Sequence, residues 1–183
     1  MREIILPETK PATEWVNGRA LRKVSPRRKH ALAQGVFFGA LHHWVSQYGL
    51  GRVGTEWEFR VQPQGEQRRP LVPDVAYLSY ERVPFDAARD ADIPRVAPDV
   101  VVEVLSPDDR PRDVEEKIRV YFATGTSVIF LVDTEARTIT ARDPERSQTF
   151  NDADDLLHPA LPHFSMSIRT LFDEPQPGGA RKD

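Results

Sequence analysis

The chain contains no cysteine. That excludes disulfides, thiol nucleophiles and any zinc site built on thiolates. No apolar run approaches the roughly 20 residues of a membrane-spanning helix. Residues 1–15, MREIILPETKPATEW, lack the apolar core of a signal peptide, so a cytoplasmic location is expected. There is no excess of positive charge either. Lys and Arg number 25 against 28 Asp and Glu, a net charge of -3, which argues against coating nucleic acid by bulk attraction. No glycine-rich phosphate loop and no dinucleotide fingerprint occurs, so no organic cofactor is expected. No internal repeat is visible.

What is present is an ordinary globular composition over 183 residues, 39% hydrophobic and 29% charged. That length suits one domain with a real core, here residues 1–172, followed by a disordered tail at 173–183. The first signal is a hairpin, with residues 14–16 and 19–24 flanking Asn17-Gly18, a pair suited to a type I′ turn. A long helix follows, capped by Ser25 with Pro26 at its first position and stopped at Gly49. Leu32, Val36, Phe37, Leu41 and Trp44 recur along it at helical spacing. Residues 56–61, EWEFRV, alternate as a half-buried strand does, and residues 71–78 form a second strand candidate. Residues 82–98, rich in Pro, Asp and Arg, read as a surface loop. The nearly unbroken apolar run 99–105 reads as a central strand covered on both faces. A second helix begins at Asp113, its expected cap, with Glu116 completing a capping-box pattern, and ends at Gly125. Strands are expected at 127–132 and 137–142, an acidic loop at 143–163 and a short last element at 165–172. This order implies an α/β (α+β) chain with a mixed central sheet flanked by helices.

The chemistry lies where charge interrupts apolar segments. Glu103 sits in the valine-rich run and Asp74 in LVPDVAYL, residues 71–78. A carboxylate inside such a segment is costly to bury without a partner. Alternation puts Val101, Glu103 and Leu105 on one face, and Asp74, Ala76 and Leu78 on one face of the preceding strand. Neighbouring strands in suitable register would bring the two acids together. Two close carboxylates repel unless a cation lies between them, and hard oxygen donors favour Mg²⁺ or Mn²⁺, with the Val104 backbone carbonyl as a further donor. With Val114 set at zero on the second helix, Ile118 lies at about 40°, Tyr121 at about 340° and Lys117 at about 300°. Lys117 therefore borders the buried stripe and can carry its ammonium past the helix edge toward water or phosphate.

Plainer readings stand beside these. Asp74, after Pro73, also suits a turn. Glu103 also suits a structural ion pair with an arginine, and Lys117 a snorkelling surface lysine. His30 suits either a site rim or plain surface, and Ser106 either a phosphate contact or a turn. His42 and His43, adjacent on the helix, point about 100° apart and make no chelating pair. The acidic group Asp152, Asp154 and Asp155 lacks the glycine and final glutamate of a calcium loop.

Several of these motifs occur together in one order. WVNGR spans residues 15–19, and Ser25-Pro26 is followed by His30. Pro73-Asp74-Val75 precedes EVLSP at 103–107. DVEEK at 113–117 has Tyr121 and Gly125 beyond it, and Leu131-Val132-Asp133 closes the series. Over roughly residues 14–172 this pattern resembles the Uma-two family of restriction-endonuclease-like proteins. The resemblance implies a PD-(D/E)XK nuclease fold with an N-terminal β-hairpin, and a Mg²⁺- or Mn²⁺-dependent endonuclease acting on DNA. In that superfamily a lysine usually stands two residues after the second acid. Here that position is Leu105, and the helix lysine Lys117 takes the role. GTSVIF at 125–130 departs from the family at packing positions. The resemblance assigns Asp74, Glu103 and Lys117 to catalysis, with Asp74, Glu103 and the Val104 carbonyl on the metal. Ser106, Arg110, Arg112 and His30 are the candidates for substrate contact, and a homodimer would cut two strands. The rival expectation is a catalytically silent module that keeps the fold and binds nucleic acid or protein.

Overall fold

The computed structural model describes residues 13–16, 19–22, 27–66 and 70–173. A six-stranded sheet organises it, in the order β3-β4-β5-β6-β7-β8. The strands are β3 (Gly51–Thr55), β4 (Val75–Ser79), β5 (Val100–Leu105), β6 (Val128–Asp133), β7 (Thr138–Arg142) and β8 (Ser147–Asn151). Strands β5 and β6 are parallel and the other neighbours antiparallel. The parallel pair requires a crossover, supplied by helix α2 (Pro111–Ala123). Helix α1 (Arg28–Tyr48) precedes the sheet and α3 (Ile168–Phe172) ends the described chain. Two small antiparallel pairs complete it: β1 (Thr13–Val16) with β2 (Arg19–Arg22), and β9 (Asp155–Leu156) with β10 (Met166–Ser167). Among the described residues no helix is long and apolar enough to cross a membrane.

Two cores lie on opposite faces of the sheet. On one, Phe37, Leu41 and Trp44 of α1 pack on Tyr77, Val102 and Phe130, with Phe164, Ile168 and Leu171 closing the side. On the other, Ile118, Val120 and Tyr121 of α2 pack on Ala76, Leu78, Val101 and Ile129. Every residue of β5 except Leu105 is buried, which is why its sequence is an unbroken apolar run rather than an alternating one.

The hairpin, the mixed sheet and most strand positions match expectation. The pairing Val16↔Arg19 leaves residues 17–18 as the connection. They lie outside the described residues, as do Ser25, Pro26 and residues 174–183. Helix α1 is described from Arg28, with Arg27 at the cap. It ends at Gly49, whose φ of 64° is the left-handed conformation glycine tolerates.

Other expectations are corrected. Residues 56–61 are not a strand. They make one isolated bridge, Phe59↔Leu71, and also bond the 82–98 segment, Arg60 N–H to the Pro94 carbonyl and Trp57 Nε1 to the Asp92 carbonyl. The edge strand is instead β3. Its Gly51 lies so close to β4 that an added Cβ would stand 2.3 Å from the Leu78 carbonyl oxygen. The 82–98 segment is no bare surface loop, since Val83, Ala91 and Ala97 are buried. The Arg82 guanidinium ties it down, bonding the Ala97 and Gly125 carbonyls at 2.8 and 2.7 Å and pairing with Asp99 at 2.8 Å. The acidic 143–163 segment contains β8 and β9. Asp113 is not a cap. Pro111 occupies the first turn, Arg110 is the cap residue, and Asp113 lies buried within that turn, where an acid complements the helix dipole.

Candidate active site

Strands β4 and β5 bring the two acids to one end of the sheet. Their register pairs Val75 with Val102, and the residues just beyond that pair are Asp74 and Glu103. Asp74 stands in a bend just before β4 rather than within it. Its Oδ2 accepts a hydrogen bond from the Val104 backbone N–H at 2.7 Å. The Asp74 carboxylate is thus anchored on the residue next to Glu103. In an extended strand the N–H and C=O of one residue point to the same side, so the Val104 carbonyl also faces the Asp74 side.

Both acids are buried, Asp74 at 4% and Glu103 at 8% exposure, and each is held by a helix. On the α2 face, Lys117 Nζ donates to Glu103 Oε2 at 3.0 Å and the Tyr121 hydroxyl to Oε1 at 3.3 Å. Lys117 and Tyr121 stand four apart, one turn along the same helix side. On the α1 face, His30 Nε2 lies 3.4 Å from Asp74 Oδ2. One turn on, Gln34 Nε2 donates to the Asp74 carbonyl at 2.9 Å and to Glu56 Oε1 at 3.2 Å. The Glu56 N–H donates to that same Asp74 carbonyl at 3.2 Å, and Glu56 has a φ of 51°, unusual for a residue with a side chain.

The donor set suits a hard cation. It offers two buried carboxylates, a strand carbonyl on the same side and no sulfur. Mg²⁺ and Mn²⁺ take one or two carboxylates and complete their shells with water and phosphate. Among the described residues no group of three or more His, Cys, Asp or Glu side chains is arranged to enclose an ion.

The remaining expected residues divide. Ser106 belongs to a turn: its N–H bonds Asp109 Oδ2 at 2.7 Å, and its Oγ accepts from the Asp108 N–H at 3.4 Å. Arg110 and Arg112 are exposed at the start of α2, at the same end of the sheet as Glu103. His30 lies against Asp74 rather than on open surface. Tyr121, Gln34 and Glu56 were not singled out from sequence as contacts of the acids. The four-residue spacings Lys117/Tyr121 and His30/Gln34 were the available signal.

No curated protein sequence matches the chain. A crystal structure of a putative nuclease belonging to DUF820, from Anabaena variabilis, superposes with a TM-score of 0.78. It is 26% identical and the match covers 91% of this chain and 93% of that one. The fold is therefore shared with a nuclease candidate along nearly its whole length. The Uma2 family, described as "Putative restriction endonuclease", matches residues 3–169, and the chain belongs to that family.

Proposed function

We propose that this protein is a Mg²⁺- or Mn²⁺-dependent endonuclease that hydrolyses phosphodiester bonds of DNA. The observation that carries this reading is that Asp74 Oδ2 accepts from the Val104 N–H at 2.7 Å, beside Glu103, whose Oε2 lies 3.0 Å from Lys117 Nζ. Membership of a restriction-endonuclease family favours DNA as the substrate.

Asp74, Glu103 and the Val104 carbonyl would hold the ion. Bound there, it would supply a Lewis acid and a water of lowered pKa. The chain's own residues do the rest. The Val104 N–H and His30 fix the Asp74 carboxylate on one side. Lys117 carries a positive charge to the edge of the acid pair, where it orients the attacking water or offsets charge on the phosphate. Arg110 and Arg112 contact neighbouring phosphates, which position the polymer without reading its sequence. The turn at Ser106 sets where α2 begins and hence where those arginines stand. Cutting both strands requires two such sites, and a homodimer would supply them.

The test uses supercoiled plasmid and labelled oligonucleotides with Mg²⁺, Mn²⁺ or EDTA. Nicking or linearisation that needs the metal and is lost in both Glu103→Ala and Lys117→Ala is the expected result. Cleavage surviving both substitutions would overturn the assignment. No cleavage together with no metal binding would favour a silent binding module.

A further inference from the structure

A phenol with no exposure at all stands beside one of the two acids. Tyr121 is 0% exposed, its ring is set among Ile118, Val101 and Ile129, and its hydroxyl lies 3.3 Å from Glu103 Oε1. A buried hydroxyl costs free energy unless it is bonded. A phenylalanine would fill the same volume without that cost. The direction of the bond is fixed by chemistry, because an ionised carboxylate only accepts and the phenol donates. With Lys117 on Oε2 at 3.0 Å, α2 grips both oxygens of Glu103 from successive turns. The lysine grip is able to move, since its stem is flexible and its head sits near the helix edge. The tyrosine grip is rigid, since the ring is locked in the core.

We infer that Tyr121 is a positioning residue for Glu103: its hydroxyl holds the carboxylate in the rotamer that presents it to a divalent cation, and leaves Lys117 able to turn toward substrate. This rests on the reading of Glu103 as a metal ligand. Hydrogen-bond partners of metal ligands typically govern affinity by about 10–100-fold. The 3.3 Å separation is long for a charge-assisted O–H···O bond, which places the expected effect near the lower end.

The probe is Mn²⁺ alone, with affinity read by calorimetry and by its electron paramagnetic resonance spectrum. Full-length wild type is compared with Tyr121→Phe, Glu103→Gln and Ile118→Val, and unfolding of each is followed in EDTA. The Ile118→Val change loosens the same helix without touching Glu103. Tyr121→Phe is expected to weaken Mn²⁺ binding about ten-fold and to alter the spectrum, while Ile118→Val leaves both unchanged. An unaltered affinity in Tyr121→Phe, with Glu103→Gln strongly weakened, would overturn the positioning role and leave the metal site standing. Equal weakening by Ile118→Val would overturn it too, by tracing the loss to helix packing. If Glu103→Gln binds Mn²⁺ as wild type does, the metal reading of Glu103 fails and the role of Tyr121 fails with it.

Discussion

Replacing Lys117 by methionine removes an ammonium and keeps a stem of similar length along the helix. The ammonium is 3.0 Å from Glu103 Oε2, and the two side chains are 15% and 10% exposed. Removing one member of such a pair strands the other as a buried charge, which costs about 3–5 kcal/mol. Two features place the present case at the lower end. The pair keeps some contact with water, and the Tyr121 hydroxyl still reaches Oε1. The expected loss is about 3 kcal/mol, equivalent to a fall in Tm of roughly 6–12 °C for a chain of this size. The double variant Glu103→Gln with Lys117→Met removes both charges of this pair and is expected to be more stable than Lys117→Met alone. Urea unfolding of wild type, both single variants and the double, at neutral pH in EDTA, gives the coupling directly. If Lys117→Met unfolds within about 0.5 kcal/mol of wild type, the lysine is an ordinary surface group. The electrostatic account of the acid pair would then be wrong.

Three further outcomes follow from individual contacts. Gly51→Ala forces a Cβ to within 2.3 Å of the Leu78 carbonyl oxygen and should cost about 1–3 kcal/mol or more in thermal unfolding, whereas Gly39→Ala, with nothing within 4 Å of its new carbon, should gain up to about 1 kcal/mol in the middle of α1. Gln34→Leu removes a donor from the Asp74 carbonyl and from Glu56, with an expected loss of about 1 kcal/mol by urea titration. Burial pushes the Tyr77 phenol up to about 12, with Asp99 and Glu81 adding to it. The folded protein then keeps a proton that the unfolded chain releases near pH 10, so stability present below pH 10 falls as pH rises toward 12. Tyr77→Phe should flatten that alkaline slope in unfolding experiments.

The parts legible in the sequence are those set by burial alone. The run around β5 announced a strand covered on both faces, and helical phase placed Lys117 beside the buried stripe. The β4–β5 register needed structure, but parity had already made a meeting of Asp74 and Glu103 permissible. In the structure Asp74 stands in a bend and accepts from the Val104 N–H beside Glu103, a backbone contact that side-chain alternation does not encode. The misplaced elements have local causes. The pattern Asp113-x-x-Glu116 mimics a capping box, yet Pro111, pre-set for a first helical turn, starts α2 earlier. Residues 56–61 alternate like a strand because Phe59 and Val61 point into the second core, while their backbone hydrogen bonds are scattered over Leu71, Asp74 and Pro94 instead of following one neighbouring strand. Strand β3 was hidden by its two glycines, which weaken strand propensity, though Gly51 permits the close approach to β4. Helical phase sets Tyr121 on the buried side of α2, and nothing in the sequence beyond its spacing from His30 marks Gln34. Their contacts with the acids depend on how α2 and α1 are seated against the sheet.

In the proposed site Asp74 and Glu103 would share one ion. Crystals grown or soaked with Mn²⁺, measured for anomalous scattering, test it most directly. A single strong peak is expected at about 2.0–2.3 Å from a carboxylate oxygen of each acid, next to the Val104 carbonyl. A peak elsewhere, or carboxylates that stay too far apart to reach a common ion at saturating Mn²⁺, would contradict it.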